Sequence, residues 1–499
     1  MSDSAHPRHA GTALLAAFAA ALVAAPAAAQ IVPIRTVPVA SGDQFLVHPS
    51  SRLGMGGVGV ALSDTLLDPW IVPGAGARID GVVVDASPTF YVISDGNGSG
   101  RTLPVTVQLG GDAWFGGVSM ALQEIRAGDL NGGFGWGAPT RGLDESSALN
   151  TFLSAYAGRR LGPSGWSLGA GVSRAGLDAM DGVDILYGGG QRVEQRGSVL
   201  DVRVGALREW EAEKSLELVA LYHEVDMIHE ISGGVWWLGV VDPMPGIDPF
   251  PGGPPPMRTE EDETRTWGAS ATWVQPIGDR GWKLGGTATA NRKTHPKIPN
   301  YDLMSIPRDP GDTWAGRLGL GLARTAGGTT LGLDLALEPI ETETWADAAE
   351  PVLQDSVVVV PAGGRTVEND FTFLNSRVRL GGEHAWDRWS IQLGVDVYAV
   401  SYDLEQRDFV RQTVRDQRES WLEWTPSWGA ALRLPEVEVR YAGRLTTGTG
   451  RPGVLGGGFR AGADEALAGG DFIPAPSGDL FLDGAWVLTQ RIGVVIPAG

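Results

Sequence analysis

The 499-residue chain has no cysteine, which excludes disulfide bonds, thiolate metal sites and cysteine nucleophiles. Basic residues are scarce: 39 Lys and Arg stand against 59 Asp and Glu, and the formal charge of -20 argues against a nucleic-acid binding face. Beyond the first thirty residues there is no apolar run long enough for a transmembrane helix, so we expect none in the mature chain.

Catalytic motifs are missing as well. The seven histidines include no H-E-x-x-H pair, and the chain has no G-x-S-x-G nucleophile elbow. His223 and His229 flank an acid-rich strand end, which suits either a metal site or, in the simpler interpretation, a solvated loop. We therefore predict that the protein is not an enzyme and holds no cofactor or metal.

The N-terminus has the layout of a signal peptide over residues 1–29. Arg8 precedes an apolar core from Leu14 to Ala25, and three alanines at 27–29 offer a cleavage site before Gln30. A membrane anchor is the alternative, but the core is short for one. We expect export to the outer membrane of a Gram-negative cell.

What the chain has in excess is glycine, 72 residues, and tryptophan, 18 residues. Apolar residues alternate with polar or small ones in many runs; Leu331 to Leu337 and Trp389 to Val397 are examples. This period of two indicates strands with one apolar face. Runs of about 9 to 13 residues suit bilayer-crossing strands better than a soluble sandwich.

Two further features favour a membrane barrel. Tryptophans open or close many runs, where an interfacial girdle belongs; they are Trp166, Trp210, Trp267, Trp282, Trp314 and Trp389. The polar faces carry charged residues among Gly, Ser and Thr, as a lumen would. We predict as lumen-lining residues Arg203, Arg317, Asp334, Arg377, Arg379, Asp396 and Arg440. These charges either pair with one another or form a basic ladder that attracts carboxylates.

The fold class predicted is all-β: an antiparallel transmembrane barrel of about 14–16 strands, with sixteen favoured, over residues 82–499. The candidate strands are 82–93, 102–110, 112–123, 149–160, 164–175, 198–210, 213–226, 264–276, 281–292, 313–325, 329–340, 369–382, 388–402, 419–434, 436–446 and 479–496. Short and long connections alternate, as periplasmic turns and extracellular loops do, which places both chain ends of the barrel in the periplasm.

Two kinds of extracellular segment stand out. The Pro/Gly-rich stretch 231–257 carries Trp236, Trp237 and Phe250, which we predict to form either a loop that captures a hydrophobic ligand or a lid over the barrel mouth. Acidic clusters at 178–184, 259–264 and 341–350 suit divalent cations that bridge to lipopolysaccharide, or a solvated surface.

Residues 52–70, RLGMGGVGVALSDTLLDPW, precede the first confident strand. Gly54, Gly56 and Gly59 fit the dinucleotide fingerprint G-x-G-x-x-G, but antiparallel strands follow, so no parallel sheet exists to present a phosphate site. We predict instead that residues 30–81 form a periplasmic or lumenal hatch in which these glycines permit tight turns.

This stretch resembles the N-terminal hatch signature of the FadL-like outer-membrane transport proteins and their PorV-like relatives. The matching residues are Arg52, Gly54, Met55, Gly56, Gly57, Ala61, Leu62 and Asp64, with Gly59 included in the predicted hatch. The family's Asn-Pro-Ala element is replaced by Asp68-Pro69-Trp70, and the chain end lacks the terminal aromatic that such barrels usually carry.

The resemblance implies passive uptake of hydrophobic or amphipathic small molecules, with capture outside and release sideways or through a hatch kink. A water-filled porin and a non-transporting, PorV-like barrel that anchors or displays a partner are the alternatives. The expected partners are outer-membrane lipid, lipopolysaccharide, a hydrophobic solute and, during biogenesis, the barrel-assembly machinery.

Overall fold

The computed structural model describes residues 31–36, 38, 40–96, 98–127, 147–180, 192–210, 213–232, 257–295, 311–348, 350–452 and 482–498. The predicted signal peptide, residues 1–29, and the loop aromatics Trp236, Trp237 and Phe250 lie outside these described residues. No helix among them is long and apolar enough to cross a membrane.

The described residues form nineteen strands. They are β1 (Gly81–Ala86), β2 (Thr89–Ile93), β3 (Gly98–Gly110), β4 (Trp114–Ala127), β5 (Ser147–Arg160), β6 (Trp166–Leu177), β7 (Arg192–Glu209), β8 (Ser215–Ser232), β9 (Met257–Ile277), β10 (Trp282–His295), β11 (Gly311–Ala326), β12 (Thr329–Asp347), β13 (Val352–Gln354), β14 (Val357–Val360), β15 (Arg365–Ala385), β16 (Trp389–Asp408), β17 (Thr413–Arg433), β18 (Glu438–Pro452) and β19 (Leu482–Ala498).

Seventeen of these strands form one closed antiparallel barrel, and β13 and β14 form a separate hairpin. β1 and β2 share a single strand position between β19 and β3, because the chain breaks at Ser87 and Pro88 without a change of register. The barrel therefore has sixteen strand positions, which confirms the predicted fold class and the favoured strand count.

The outer face of the wall is apolar and the inner face is polar. Leu320 on β11 and Leu393 on β16 are 61% and 65% exposed, whereas the inward Thr313 and Ser390 on the same strands are fully buried. A soluble barrel would bury its leucines and expose its hydroxyls. The inversion is the pattern of a barrel whose solvent is lipid.

Tryptophans mark both edges of the apolar band. Trp282 lies at the start of β10, opposite Arg324 of β11, and Trp314 lies ten residues further along β11. Ten residues of a strand tilted by about 40° rise roughly 25 Å, the height of the lipid-facing band in such barrels. Arg324 and Arg292 lie over these two rings at 5.5 Å each, and their guanidinium groups reach toward the interfaces.

Short turns collect at one end of the barrel, where β1 also pairs with the end of β19, Val82 opposite Ala498. By the usual asymmetry this is the periplasmic end. The long-loop end departs from the expected alternation at two connections. Residues 94–96 and 409–412 lie in tight turns there, with Asp95 and Gln412 in the left-handed region at φ 60° and 55°.

Several strands extend well beyond the bilayer at the long-loop end. β9, β15 and β17 have 21 residues each, about twice the length that crosses a bilayer. The acidic segment 259–264 and most of 341–350 therefore lie in β9 and β12 rather than in loops as expected, since strands that rise into water accept polar residues on both faces.

If the exposed apolar residues of the wall face lipid, an arginine introduced there should destabilise the barrel, and more strongly the nearer it lies to the middle of the bilayer. Leu320→Arg, near the middle of β11, should lower the free energy of unfolding in vesicles by about 2–4 kcal/mol, whereas Thr325→Arg, near the periplasmic end of the same strand, should cost about 0–1 kcal/mol. Urea titration of the refolded barrel measures both. Equal costs would contradict a membrane-spanning position for Leu320.

Candidate functional site

The segment before β1 lies inside the barrel in two parts. Residues 31–48, here called the strap, contact the wall in the long-loop half of the lumen: Asn291 Oδ1 accepts from Val32 N at 2.8 Å, and Tyr402 Oη donates to the Thr36 carbonyl at 3.1 Å. Residues 50–80, here called the hatch ring, follow the inner wall near the periplasmic end.

The predicted hatch residues form one compact turn. Asp64 accepts from Ser50 Oγ and Ser51 N, both at 2.8 Å, and Arg52 donates to the Ser63 carbonyl. Gly56 and Gly57 follow a short 3-10 helix, Leu53–Met55, and both lie in the left-handed region at φ 71° and 70°. These glycines let the chain reverse with no side-chain penalty.

The departure from the family element also has a structural role. Asp68-Pro69-Trp70-Ile71 forms a short helix, α1 (Asp68–Ile71), with Pro at its start. Trp70 stacks on His48 of the strap, ring centroids 4.8 Å apart, and meets Tyr156 of β5 edge-on at 4.9 Å. Trp70 therefore joins the strap, the hatch ring and the wall, which an alanine at this position could not do.

Glycines in the wall receive the backbone of the hatch ring. A Cβ at Gly381 of β15 or Gly394 of β16 would overlap the backbone of Met55, and one at Gly54 would lie 2.8 Å from Gly429 Cα on β17. Gly332 of β12, Gly381 and Gly394 are directly paired neighbours. The strands thus present a backbone surface on which another backbone packs.

The same arrangement recurs around the wall. Gly285 and Gly321, paired across β10 and β11, face Val60 and Ala61. Gly169 and Gly205, paired across β6 and β7, face Pro73 and Gly74. Strand glycines weaken a sheet unless they permit such a close approach, so the high glycine content has a structural cause in this contact.

Polar wall side chains satisfy the hatch backbone between these contacts. Asp334 Oδ2 accepts from the amides of Gly59 and Val60 at 2.7 and 3.2 Å. Ser427 Oγ accepts from the Gly56 amide at 2.8 Å and donates to the Gly54 carbonyl at 3.2 Å. A buried segment without regular secondary structure needs such partners, because each unpaired amide would be costly.

Five of the seven predicted lumen residues lie together. Arg377 and Arg379 both contact Asp396, with Nε–O distances of 2.8 and 3.2 Å. Arg317 donates to Glu338 at 2.6 Å, and Asp334 is the hatch-binding carboxylate. Glu338, which sequence reasoning missed, is fully buried and also accepts from Tyr398 Oη at 2.9 Å.

Arg203 and Arg440 lie elsewhere on the wall. Arg203 donates to Asp201 and to the Ile71 carbonyl. Asp201 also contacts His223 Nδ1 at 3.3 Å. Arg440 donates to Glu438 at 2.8 Å. The seven predicted residues therefore do not form one ladder, and the Arg–carboxylate contacts follow the pairing alternative.

An apolar cluster lines the long-loop half of the lumen. Phe371 and Phe373 of β15 pack against Tyr402 of β16, with ring centroids 5.6 and 5.0 Å from it. The cluster, here called the aromatic cluster, also contains Ala315, Ile340, Tyr398, Val400 and Leu404, and the strap inserts Val32 into it. Ile34 and Trp421 border it.

A cavity of about 410 Å³ separates part of the hatch ring from the wall. Hatch residues 57–65 line one side, and the other side is formed by β8 to β12 and β15, including Thr287, Arg317 and Arg379. Glu209 and Glu213, with side chains 49% and 71% exposed, lie at its periplasmic mouth. The described residues contain no group of three or more side chains placed to bind a metal ion.

Sequence reasoning placed residues 30–81 in one hatch without separating the strap from the hatch ring, and it missed the aromatic cluster and the cavity. The strap has no periodic pattern, and the aromatics that face the lumen share their strands with leucines that face lipid, such as Leu374 beside Phe373. Where part of the lumen wall is apolar, both faces of a strand carry apolar residues. The alternation in the sequence then no longer distinguishes inward from outward residues.

The wall glycines predict a selective effect on the hatch ring. Gly394→Ala should displace Met55 and raise ion conductance, because the new Cβ overlaps the Met55 backbone. Gly484→Ala on β19 is the matched control, since a Cβ there meets nothing within 4 Å. Planar-bilayer recording compares the two. A correctly folded Gly394→Ala barrel with wild-type conductance would argue against this packing.

His48 predicts a pH effect. Burial between Trp70 and the wall, with Arg203 and Arg491 nearby, lowers the pKa of His48 from 6.5 to about 3. An unpacked His48 gains a proton as the pH falls below 6.5 while the packed one stays neutral, so packing weakens from pH 6.5 down to about 3. The ratio of molecules with His48 unpacked to molecules with His48 packed should therefore be about a hundredfold larger at pH 4.5 than at pH 7.5.

Conductance at the two pH values measures this release. His48→Phe keeps an aromatic ring on Trp70 and should abolish the pH dependence, while His384→Phe, at the periplasmic turn between β15 and β16, should retain it. The same acid response in His48→Phe would assign it to another group.

No family model matches the chain, and no curated protein matches it. Among solved structures, the chain is similar to a FadL homologue from Pseudomonas aeruginosa at 12% identity and a TM-score of 0.45, covering 92% of this chain and 99% of that one. It is also similar to the TodX deltaS2S3 mutant, a monoaromatic hydrocarbon channel, at 9% identity and a TM-score of 0.40, with coverage of 92% and 99%.

A third similar structure is CdiB from Acinetobacter baumannii, at 10% identity and a TM-score of 0.39, covering 84% of this chain and 60% of that one. The FadL homologue and TodX are both FadL-family outer-membrane barrels. Residues 52–64 resemble the same family.

Proposed function

We propose that the protein is a passive outer-membrane channel for hydrophobic or amphipathic small molecules. The observation that carries this proposal is the aromatic cluster. Phe371, Phe373 and Tyr402 place apolar surface on the inner wall of the barrel in its long-loop half, next to the strap. The cluster holds Val32 of the strap, and apolar surface of this kind inside a lumen also suits a hydrophobic solute, whereas a water-filled pore needs a polar wall.

The hatch ring supports the same function. It occupies the periplasmic half of the lumen and is bonded to the wall by Asp334, Ser427 and Gln392. A general porin needs an open aqueous path there, whereas a hydrophobic solute can leave by another route.

The break between β1 and β2 supports a sideways route. Ser87 N donates to the Pro104 carbonyl and Ile492 N donates to the Pro88 carbonyl, at 3.3 and 3.0 Å. Neither proline can return a hydrogen bond, so each of these two pairs keeps one bond where an ordinary antiparallel pair has two. The wall between β3 and β19 therefore has fewer hydrogen bonds here than a regular strand would give, and we propose that solute leaves there into the membrane.

Uptake into liposomes tests the proposed function. Vesicles that contain the purified barrel should take up a labelled aromatic hydrocarbon or fatty acid faster than empty vesicles, with no large steady ion current. Phe373→Ala should lower the affinity for the solute by about tenfold or more, because a buried Phe contributes about 1.5–3 kcal/mol of apolar burial.

Leu374→Ala is the matched control, because Leu374 lies next to Phe373 on β15 but faces outward and is 61% exposed. It should bind and transport as the wild type does. A barrel that neither binds nor admits these solutes refutes the proposal, and a large steady current indicates a porin instead.

A further inference from the structure

The cavity beside the hatch ring holds polar groups that the proposed hydrophobic pathway does not use. Thr272 of β9 and Thr287 of β10 line it, are 6% and 5% exposed, and have hydroxyls with no hydrogen-bond partner among the described residues. Buried hydroxyls without a partner are costly, so their place in a cavity open to the periplasm points to a polar occupant.

Negative charge is in excess at the mouth of this cavity. Asp68, Glu209 and Glu217 share a single cation, Arg78, at distances of 3.5, 2.9 and 2.7 Å. Glu213 has its own partner in Lys283. Burial and the neighbouring Glu217 raise the pKa of Asp68 to about 8, so at neutral pH Glu209 and Glu217 carry two negative charges against the one positive charge of Arg78, and the mouth attracts a cationic group.

The inner end of the cavity is lined by guanidinium groups together with the carboxylates of Asp64 and Asp334. Arg377 and Arg379 share the single carboxylate of Asp396. Arg52 also lines the cavity, and its Nη1 atom is buried with no hydrogen-bond partner among the described residues. Guanidinium groups with unused donors bind carboxylates well.

We propose that this cavity binds a small zwitterion, with its carboxylate at the Arg52 and Arg379 end and its ammonium group at the Arg78 carboxylates. A free anion meets the acidic mouth first and is repelled by it. A simple cation binds the carboxylates at the mouth but makes no hydrogen bonds with the guanidinium groups at the inner end. Only a molecule that carries both charges enters without net repulsion and complements both ends. The volume of about 410 Å³ lies in the range of small-molecule sites. This site is independent of the proposed hydrophobic pathway.

Three probes of equal length separate the alternatives: ε-aminocaproate with both charges, caproate with the carboxylate alone and hexylamine with the amine alone. Isothermal titration calorimetry on the purified barrel should show saturable binding of ε-aminocaproate, about tenfold or more tighter than either single-charge probe, since each charge-assisted hydrogen bond is worth about 1.5–3 kcal/mol.

Variants locate the site. Arg379→Gln and Glu217→Gln should each weaken ε-aminocaproate binding by about fivefold or more, because each removes charge from one end. Thr287→Val removes one hydroxyl at nearly constant volume and should weaken binding by about twofold to fivefold. Arg418→Gln, at a position 78% exposed near the long-loop end, should bind as the wild type does.

Conductance and heat-modifiable gel migration check that each variant keeps its fold and its hatch. Thr287→Val remains informative even if Arg379→Gln disturbs the hatch ring, because no hatch contact involves the Thr287 hydroxyl. Caproate or hexylamine that competes with ε-aminocaproate for the same site and binds it as tightly would overturn the proposal. So would an absence of saturable binding, or wild-type affinity in both Glu217→Gln and Thr287→Val.

Discussion

The backbone of a segment surrounded by lipid must satisfy all of its own hydrogen bonds, and most of this structure follows from that constraint. A closed antiparallel barrel meets it, because each strand is paired on both sides and no edge remains. The exception is informative. At Pro88 and Pro104 the wall gives up two of these bonds, and we connect this break with the proposed route through the wall.

Closure creates a second problem inside. Sixteen strands enclose more space than side chains from the wall can fill, and the chain fills part of it with its own N-terminal segment. That segment has almost no regular structure, so its amides depend on the wall. Asp334, Ser427 and Asn291 supply the hydrogen bonds, and wall glycines such as Gly381 and Gly394 supply the space. The wall glycines and the irregular hatch backbone therefore pack against each other, which explains the high glycine content.

The lumen combines surfaces of opposite character as a result. Where the strap lies, the wall carries Phe371, Phe373 and Tyr402, which suit an apolar solute. Where the hatch ring lies, the wall carries arginines, carboxylates and threonines around a cavity open to the periplasm. A hydrophobic solute that follows the apolar surface does not need to cross the polar one, which is consistent with a sideways exit and with a separate role for the cavity.

By itself the sequence determined the fold class, favoured sixteen strands over fourteen and indicated the turn in the hatch. The period of two and the regular spacing of turns are local properties of the sequence. Apolar side chains at every second position are stable on the one face of the strand that contacts lipid. Residues such as Gly56 and Asp64 act within a few positions of one another, so their motif is readable without the fold. Only the tertiary structure decided which lumen charges meet. Arg377 and Arg379 share Asp396 because of the register between β15 and β16, while Arg440 falls elsewhere. The aromatic cluster and the cavity also depend on register and curvature, which bring together strands that are far apart in the chain. No local sequence pattern shows which of these distant strands come into contact.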